Sequence, residues 1–94
     1  MIQSYRNRET ERFAAGERVR RWEGVAAQAR RRLRNLEAAV SLLDLRNLPS
    51  HRLEALRGDR AGQFSIRIKG QWRICFHWFD GDDGPSNVEI VDDH

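Results

Sequence analysis

Two runs of alternating apolar and polar residues, joined through a glycine, constrain this chain more than any other feature. In the first, Phe64, Ile66 and Ile68 fall on one face, with Ser65, Arg67 and Lys69 on the other. In the second, Trp72, Ile74, Phe76 and Trp78 alternate with Arg73, Cys75 and His77. A period of two marks strands with one buried face. Gly70, between Lys69 and Gln71, can take the positive φ of a tight hairpin. The expected product is an antiparallel hairpin with an apolar side and a cationic side.

The rest of the chain must cover the apolar side. Its 94 residues predict one domain with a single modest core. Met1 to Tyr5 is expected as a short edge strand. Arg8 to Ala15 reads as a short helix stopped by Gly16. A longer helix is predicted over Arg18 to Leu43, where Val19, Trp22, Val25, Ala26, Ala29, Leu33, Leu36, Val40 and Leu43 make one stripe. Arg30, Arg31, Arg32 and Arg34 are expected to face solvent or a partner. The period is lost after Ser41, and Pro49 biases Leu48 away from helix. Arg52 to Arg57 is expected as a strand, Gly58 to Gly62 as a turn, and Asp80 to Ser86 as an acidic turn or loop with some mobility. Asn87 to Asp92 closes the sheet. The fold class is α+β: an N-terminal strand and two helices packed on one face of a small antiparallel sheet.

Charge narrows the partners. Of 17 basic residues, 16 are Arg, whose planar fork suits phosphate. Residues 1–35 carry 10 basic and 4 acidic groups, whereas residues 80–94 carry 6 acidic and no basic ones. Part of the surface is therefore expected to meet an anion, most commonly nucleic acid. The single Cys75 offers no internal disulfide. No apolar run approaches the ~20 residues of a membrane span. A cytoplasmic protein without membrane contact is the expectation. The three histidines and the cysteine show no metal-ligand spacing, so neither metal nor other cofactor is expected.

The segments SYRNRETERF, LPSHRLEALRGDRAGQFSIRIKGQWRICFHW and VEIVDDH resemble the HigB-type toxins of the RelE/ParE superfamily. The resemblance covers nearly the whole chain. It implies a compact RelE/ParE-like toxin that cleaves messenger RNA on the ribosome. It also implies neutralisation by a HigA-type helix-turn-helix antitoxin, through which operator DNA would be bound indirectly. The long Arg-rich helix and the acidic loop at 80–86 are both candidate antitoxin contacts. A ParE-like gyrase inhibitor is the alternative on the same fold, since fold alone does not separate the two. A third reading is a phosphate-gripping module without catalysis.

A nuclease without cofactor must activate the ribose 2′-OH, steady a phosphorane and protonate the leaving 5′-oxygen. Arg73 lies on the polar face of a central strand and matches a catalytic arginine of the family. Its competing role is a structural pair with Asp92 or Glu89. Arg57 falls where relatives carry a basic residue before Gly-Asp-Arg, and the resemblance makes it a further catalytic-site candidate, binding phosphate. Arg67 and Lys69 share the cationic face and would hold RNA; Arg60 would do so too, or pair with Asp59. His94 has a suitable ordinary pKa, about 6.5, and matches the family's site, as general acid or base. Asp92 would orient it or act as base. His77 is expected to be a surface or supporting residue, and His51 to lie in a loop. Two departures stand out. Relatives often end Asp-Tyr-His, where this chain has Asp92-Asp93-His94. Some carry histidine at the position of Glu54, which would then have to supply the base. Asp93 cannot stack on a base as tyrosine can, so an attenuated enzyme is expected.

Overall fold

The computed structural model describes residues 1–92. Four strands, β1 (Glu54–Ala55), β2 (Gln63–Lys69), β3 (Trp72–His77) and β4 (Ser86–Asp92), form one antiparallel sheet in sequence order. The helices α1 (Arg8–Ala14), α2 (Ala26–Ala38) and α3 (Leu42–Arg46) complete an α+β chain. The central hairpin forms as its alternation requires. Gly70 takes φ of 58°, and Ile66 pairs with Ile74 and Arg67 with Arg73 across β2 and β3. Ile66, Ile68, Ile74, Phe76, Val88 and Ile90 make the sheet's apolar face, which packs on Phe13, Trp22, Ala29, Leu33 and Leu36. Each such side chain contributes about 1.5–3 kcal/mol on leaving water.

The N-terminal segment is tied to the sheet more by single bonds than by a ladder. Tyr5 makes one parallel bridge to Val88, and the Arg6 N–H donates to the Val88 carbonyl (3.0 Å). Thr10, fully buried in α1, accepts the Ile90 N–H through its hydroxyl (3.3 Å). The Asn7 side chain caps α1 by accepting from the Thr10 N–H (2.9 Å).

The single helix expected over Arg18 to Leu43 is not continuous. Arg20–Val25 forms a 3₁₀ turn, and Val25 leaves helical geometry at φ −124°, ψ 9° before α2 begins. Gly24 and the β-branched Val25 weaken the helix there, while Trp22 and Val25 still turn inward. The other break follows Ala38. Ala39 is extended (ψ 137°), and the Asp44 carboxylate accepts the Val40 N–H (2.8 Å), a local bond that competes with helix continuation. Val40 and Leu43, assigned to the buried stripe by spacing, are 76% and 59% exposed. The arginine run also divides. Arg31 and Arg34 are exposed. Arg30 donates to the Phe13 and Glu17 carbonyls (2.6 and 3.0 Å) and lies 3.9 Å over the Phe13 ring. Arg32 donates to the Arg67 carbonyl (2.9 Å).

The segment Arg52 to Arg57 keeps only the two paired residues of β1. Of the acidic turn or loop expected at 80–86, the turn is what forms. Trp78 Nε1 donates to the Asp82 carbonyl (3.3 Å), and the Asp82 carboxylate accepts the Phe79 N–H (3.2 Å). Beyond it, Gly84 and Pro85 are buried, and the Gln3 N–H donates to the Pro85 carbonyl (2.8 Å). A Cβ on Gly84 would overlap the Met1 carbonyl oxygen. Gly84→Ala is therefore expected to displace the N-terminal segment and cost about 1–3 kcal/mol. Thermal unfolding checks this, with Gly24→Ala, where an added Cβ meets open space, as the control.

Candidate functional site

The polar face of the sheet carries the candidate site. Ser65 and Arg73 lie there diagonally across β2 and β3, because Ser65 pairs directly with Cys75. Arg73 Nε donates to Ser65 Oγ (2.9 Å), and Nη2 donates to the Arg52 carbonyl (3.3 Å). Arg52 presents that carbonyl from a left-handed conformation, φ 47°. The Glu54 carboxylate approaches Arg73 Nη2 at 3.5 Å. The Arg73 side chain is 16% exposed and that of Glu54 63% exposed. The guanidinium is thus aimed by buried Ser65 and by the Arg52 carbonyl, while its carboxylate neighbour stands in water, where such a pair is weak.

Arg73 and Arg60 line a cleft of about 170 Å³ with Leu56, Ser65, Cys75, Val91 and Asp92. Arg60 turns to partners other than its neighbour Asp59. It reaches Glu89 (3.2 Å) and Gln63 (3.2 Å). Glu89 is a residue the sequence reading undervalued: its carboxylate is buried and also receives Arg6 (2.8 Å). A buried carboxylate needs such partners, and removing them would strand a charge. Only its alternation with Val88 and Ile90 hinted at this face; Arg60 lies 29 positions away in sequence.

The other candidates separate. Arg67 is half-buried opposite Arg73, and Lys69 is exposed beside the hairpin turn. Arg57 is exposed where the 3₁₀ turn Gly58–Arg60 begins. Asp92 is exposed at the end of β4 and contributes to the cleft. Asp93 and His94 lie outside the described residues. Cys75 is buried in β3, and no group of three His, Cys, Asp or Glu among the described residues could hold a metal ion. His77 stacks on Phe79, with ring centroids 5.5 Å apart. A larger hollow of about 240 Å³ lies on the helix side, beside Tyr5, Leu33 and Glu37. The Glu37 carboxylate there accepts the Ile2 N–H (2.6 Å).

His51 is not a loop histidine. It is fully buried at the end of the turn Pro49–His51, with Nε2 2.9 Å from Asn35 Nδ2 and, among the described residues, no hydrogen-bond partner on Nδ1. Burial first, and then the charge of Arg32, hold its pKa below the ordinary histidine value. The unfolded chain therefore takes up this proton more readily than the fold. Stability is fully present above the unfolded pKa, about 6.5, and falls as pH drops from there toward the lower folded pKa. Thermal unfolding between pH 8 and 5 is expected to show this acid-side loss, and His51→Gln to reduce the slope.

The family model described as a RelE-like toxin of type II toxin-antitoxin system HigB matches residues 3–94. The chain is 45% identical over 51 residues to Toxin HigB-1 of Vibrio cholerae serotype O1, covering 54% of each chain. It is 37% identical over 58 residues to Endoribonuclease HigB of Proteus vulgaris, covering 62% of each. These stretches span only about half to three fifths of the relatives' lengths. The match gives no support to the gyrase-inhibitor alternative. Among the described residues, no helix is long and apolar enough to cross a membrane. With the family model spanning residues 3–94, the chain belongs to the HigB-like toxins of type II toxin-antitoxin systems.

Proposed function

We propose that this toxin is a cytoplasmic endoribonuclease that cuts translated messenger RNA on the ribosome by attack of a ribose 2′-OH on the adjacent phosphorus. The observation carrying this reading is the Arg73 guanidinium, held by Ser65 and the Arg52 carbonyl at a cleft whose edge bears carboxylates. A scissile phosphate displaces Glu54 from Arg73. The guanidinium then stabilises the charge that grows on the phosphorane oxygens. The freed Glu54 carboxylate takes the 2′-OH proton. His94, with Asp92 to orient it, supplies the proton that leaves with the 5′-oxygen, and the upstream fragment ends in a 2′,3′-cyclic phosphate. Arg67, Lys69 and Arg57 hold flanking phosphates, whereas Arg60 acts mainly through its charge because Glu89 and Gln63 already engage it. The name Endoribonuclease HigB of the Proteus vulgaris relative supports the same chemistry. A HigA-type helix-turn-helix antitoxin restrains it and links it to operator DNA.

Glu54→Gln keeps the side chain's size but cannot accept the proton. It is expected to lower cleavage about 10²-fold or more and to remove the acid-side limb of the pH–rate profile. Unchanged cleavage would move the base to Asp92. Mapping of messenger 5′ ends in cells expressing the chain tests the reading as a whole. Cuts within translated codons that disappear with Arg73→Ala and His94→Ala are expected. Arrested replication with intact messages would favour a protein-binding toxin instead.

A further inference from the structure

We propose that an apolar groove at the far end of the sheet from Arg73 is the docking site for the antitoxin, which fills it with apolar side chains flanked by Lys or Arg. The groove runs between the α2–α3 junction and the turn after β3. It is about 510 Å³, with Val40, Leu43, Trp78 and Phe79 among its lining. Val40, Leu43 and Phe79 are 76%, 59% and 56% exposed, a cluster of apolar surface that the chain's own core leaves uncovered. Clustered exposed apolar side chains mark interaction surfaces, whereas scattered ones do not.

Both walls are built in advance. The Asp44 carboxylate holds Val40 by its N–H (2.8 Å). Asp82 holds the opposite turn through Phe79 and Trp78, and His77 stacks on the Phe79 ring with the planes 15° apart. A partner therefore meets a fixed aromatic anchor and does not have to order it, which lowers the entropic cost of association.

Charge identifies the kind of partner. Asp80 and Asp82 line the groove and no Lys or Arg does, although the sequence holds 17 basic residues. A carboxylate rim repels RNA phosphates and complements a cationic protein segment. The groove also lies roughly 20 Å along β3 from Arg73, at about 3.3 Å per residue. The surface that suits a protein is thus distinct from the cleft proposed for RNA. Of the two antitoxin contacts the sequence left open, this selects the acidic turn over the arginine helix. The inference rests on membership in a toxin-antitoxin family and does not depend on cleavage activity.

The test measures affinity of the purified full-length toxin for its purified cognate antitoxin. Phe79→Ala and Leu43→Ala are each expected to weaken binding, Phe79→Ala by about 30-fold or more as an anchor residue. Asp80→Lys is expected to weaken it and flatten its salt dependence. Circular dichroism and RNA cleavage by the free variants should match the parent, because these side chains lie outside both core and cleft. Affinities within twofold of the parent for Phe79→Ala and Leu43→Ala would overturn the proposal. So would a loss confined to ribosome binding, or one confined to self-association of the toxin. A parent that never cuts RNA, yet loses antitoxin on Phe79→Ala, would contradict the nuclease reading and leave this one standing.

Discussion

Arg73→Ala is expected to reduce RNA cleavage by about 10²–10³-fold, the usual cost of removing one preorganised donor to a developing oxyanion. The size follows from how the side chain is held. Ser65 and the Arg52 carbonyl fix Nε and Nη2, so the guanidinium reaches a phosphate without first being ordered. Lysine would keep the charge but cannot donate from two fixed nitrogens, so Arg73→Lys should recover little of the rate. The substitution to alanine also leaves buried Ser65 without its Arg73 partner, at about 1–3 kcal/mol. Cleavage must therefore be compared at a temperature where thermal unfolding shows both proteins folded. Near-parental cleavage by folded Arg73→Ala would remove Arg73 from the chemistry.

The second large effect is on stability. Trp22 is fully buried, and its ring meets Phe13 edge to face with centroids 5.2 Å apart. It is the pivot on which the turn Arg20–Val25 is held against α1. Trp22→Ala should cost about 3–5 kcal/mol through lost burial and the cavity left behind. That is a large share of the roughly 5–15 kcal/mol that stabilises a domain. The indole Nε1 is buried without a hydrogen-bond partner among the described residues, so aromaticity and volume carry the contribution. Trp22→Phe should accordingly cost much less than the alanine variant. Denaturant unfolding of both variants separates these contributions. Equal losses would mean that the indole nitrogen has a role not seen in its contacts.

The hairpin was legible because alternation is a local property: each residue from Phe64 to Trp78 declares its face through its immediate neighbours. Helix breaks at Val25 and Ala39 were not, because the apolar spacing continues through them while local bonds, such as Asp44 to the Val40 N–H, redirect the backbone. The same limit hid the groove, since Val40 and Leu43 have the right spacing for a core that ends before reaching them. In the site, alternation placed Arg73 on the polar face, but its partners come from elsewhere in the chain. Arg52 offers a backbone carbonyl from a strained conformation, which no side-chain pattern announces. Glu54 was singled out as a departure from the family, and its approach to Arg73 gives that departure a physical consequence. Arg60 reads as a cation in sequence, yet Glu89 and Gln63 engage it. His51 reads as a loop residue after Pro49-Ser50, and only its packing against Asn35 shows it buried.

The chemistry of the cut ends tests the central claim most directly. Purified toxin, translating ribosomes and a defined message should yield upstream fragments ending in 2′,3′-cyclic phosphate within translated codons, and folded Arg73→Ala should yield far fewer. Upstream fragments ending in 3′-hydroxyl, or an intact message from toxin that still binds its antitoxin, would contradict cleavage by 2′-OH attack at this site.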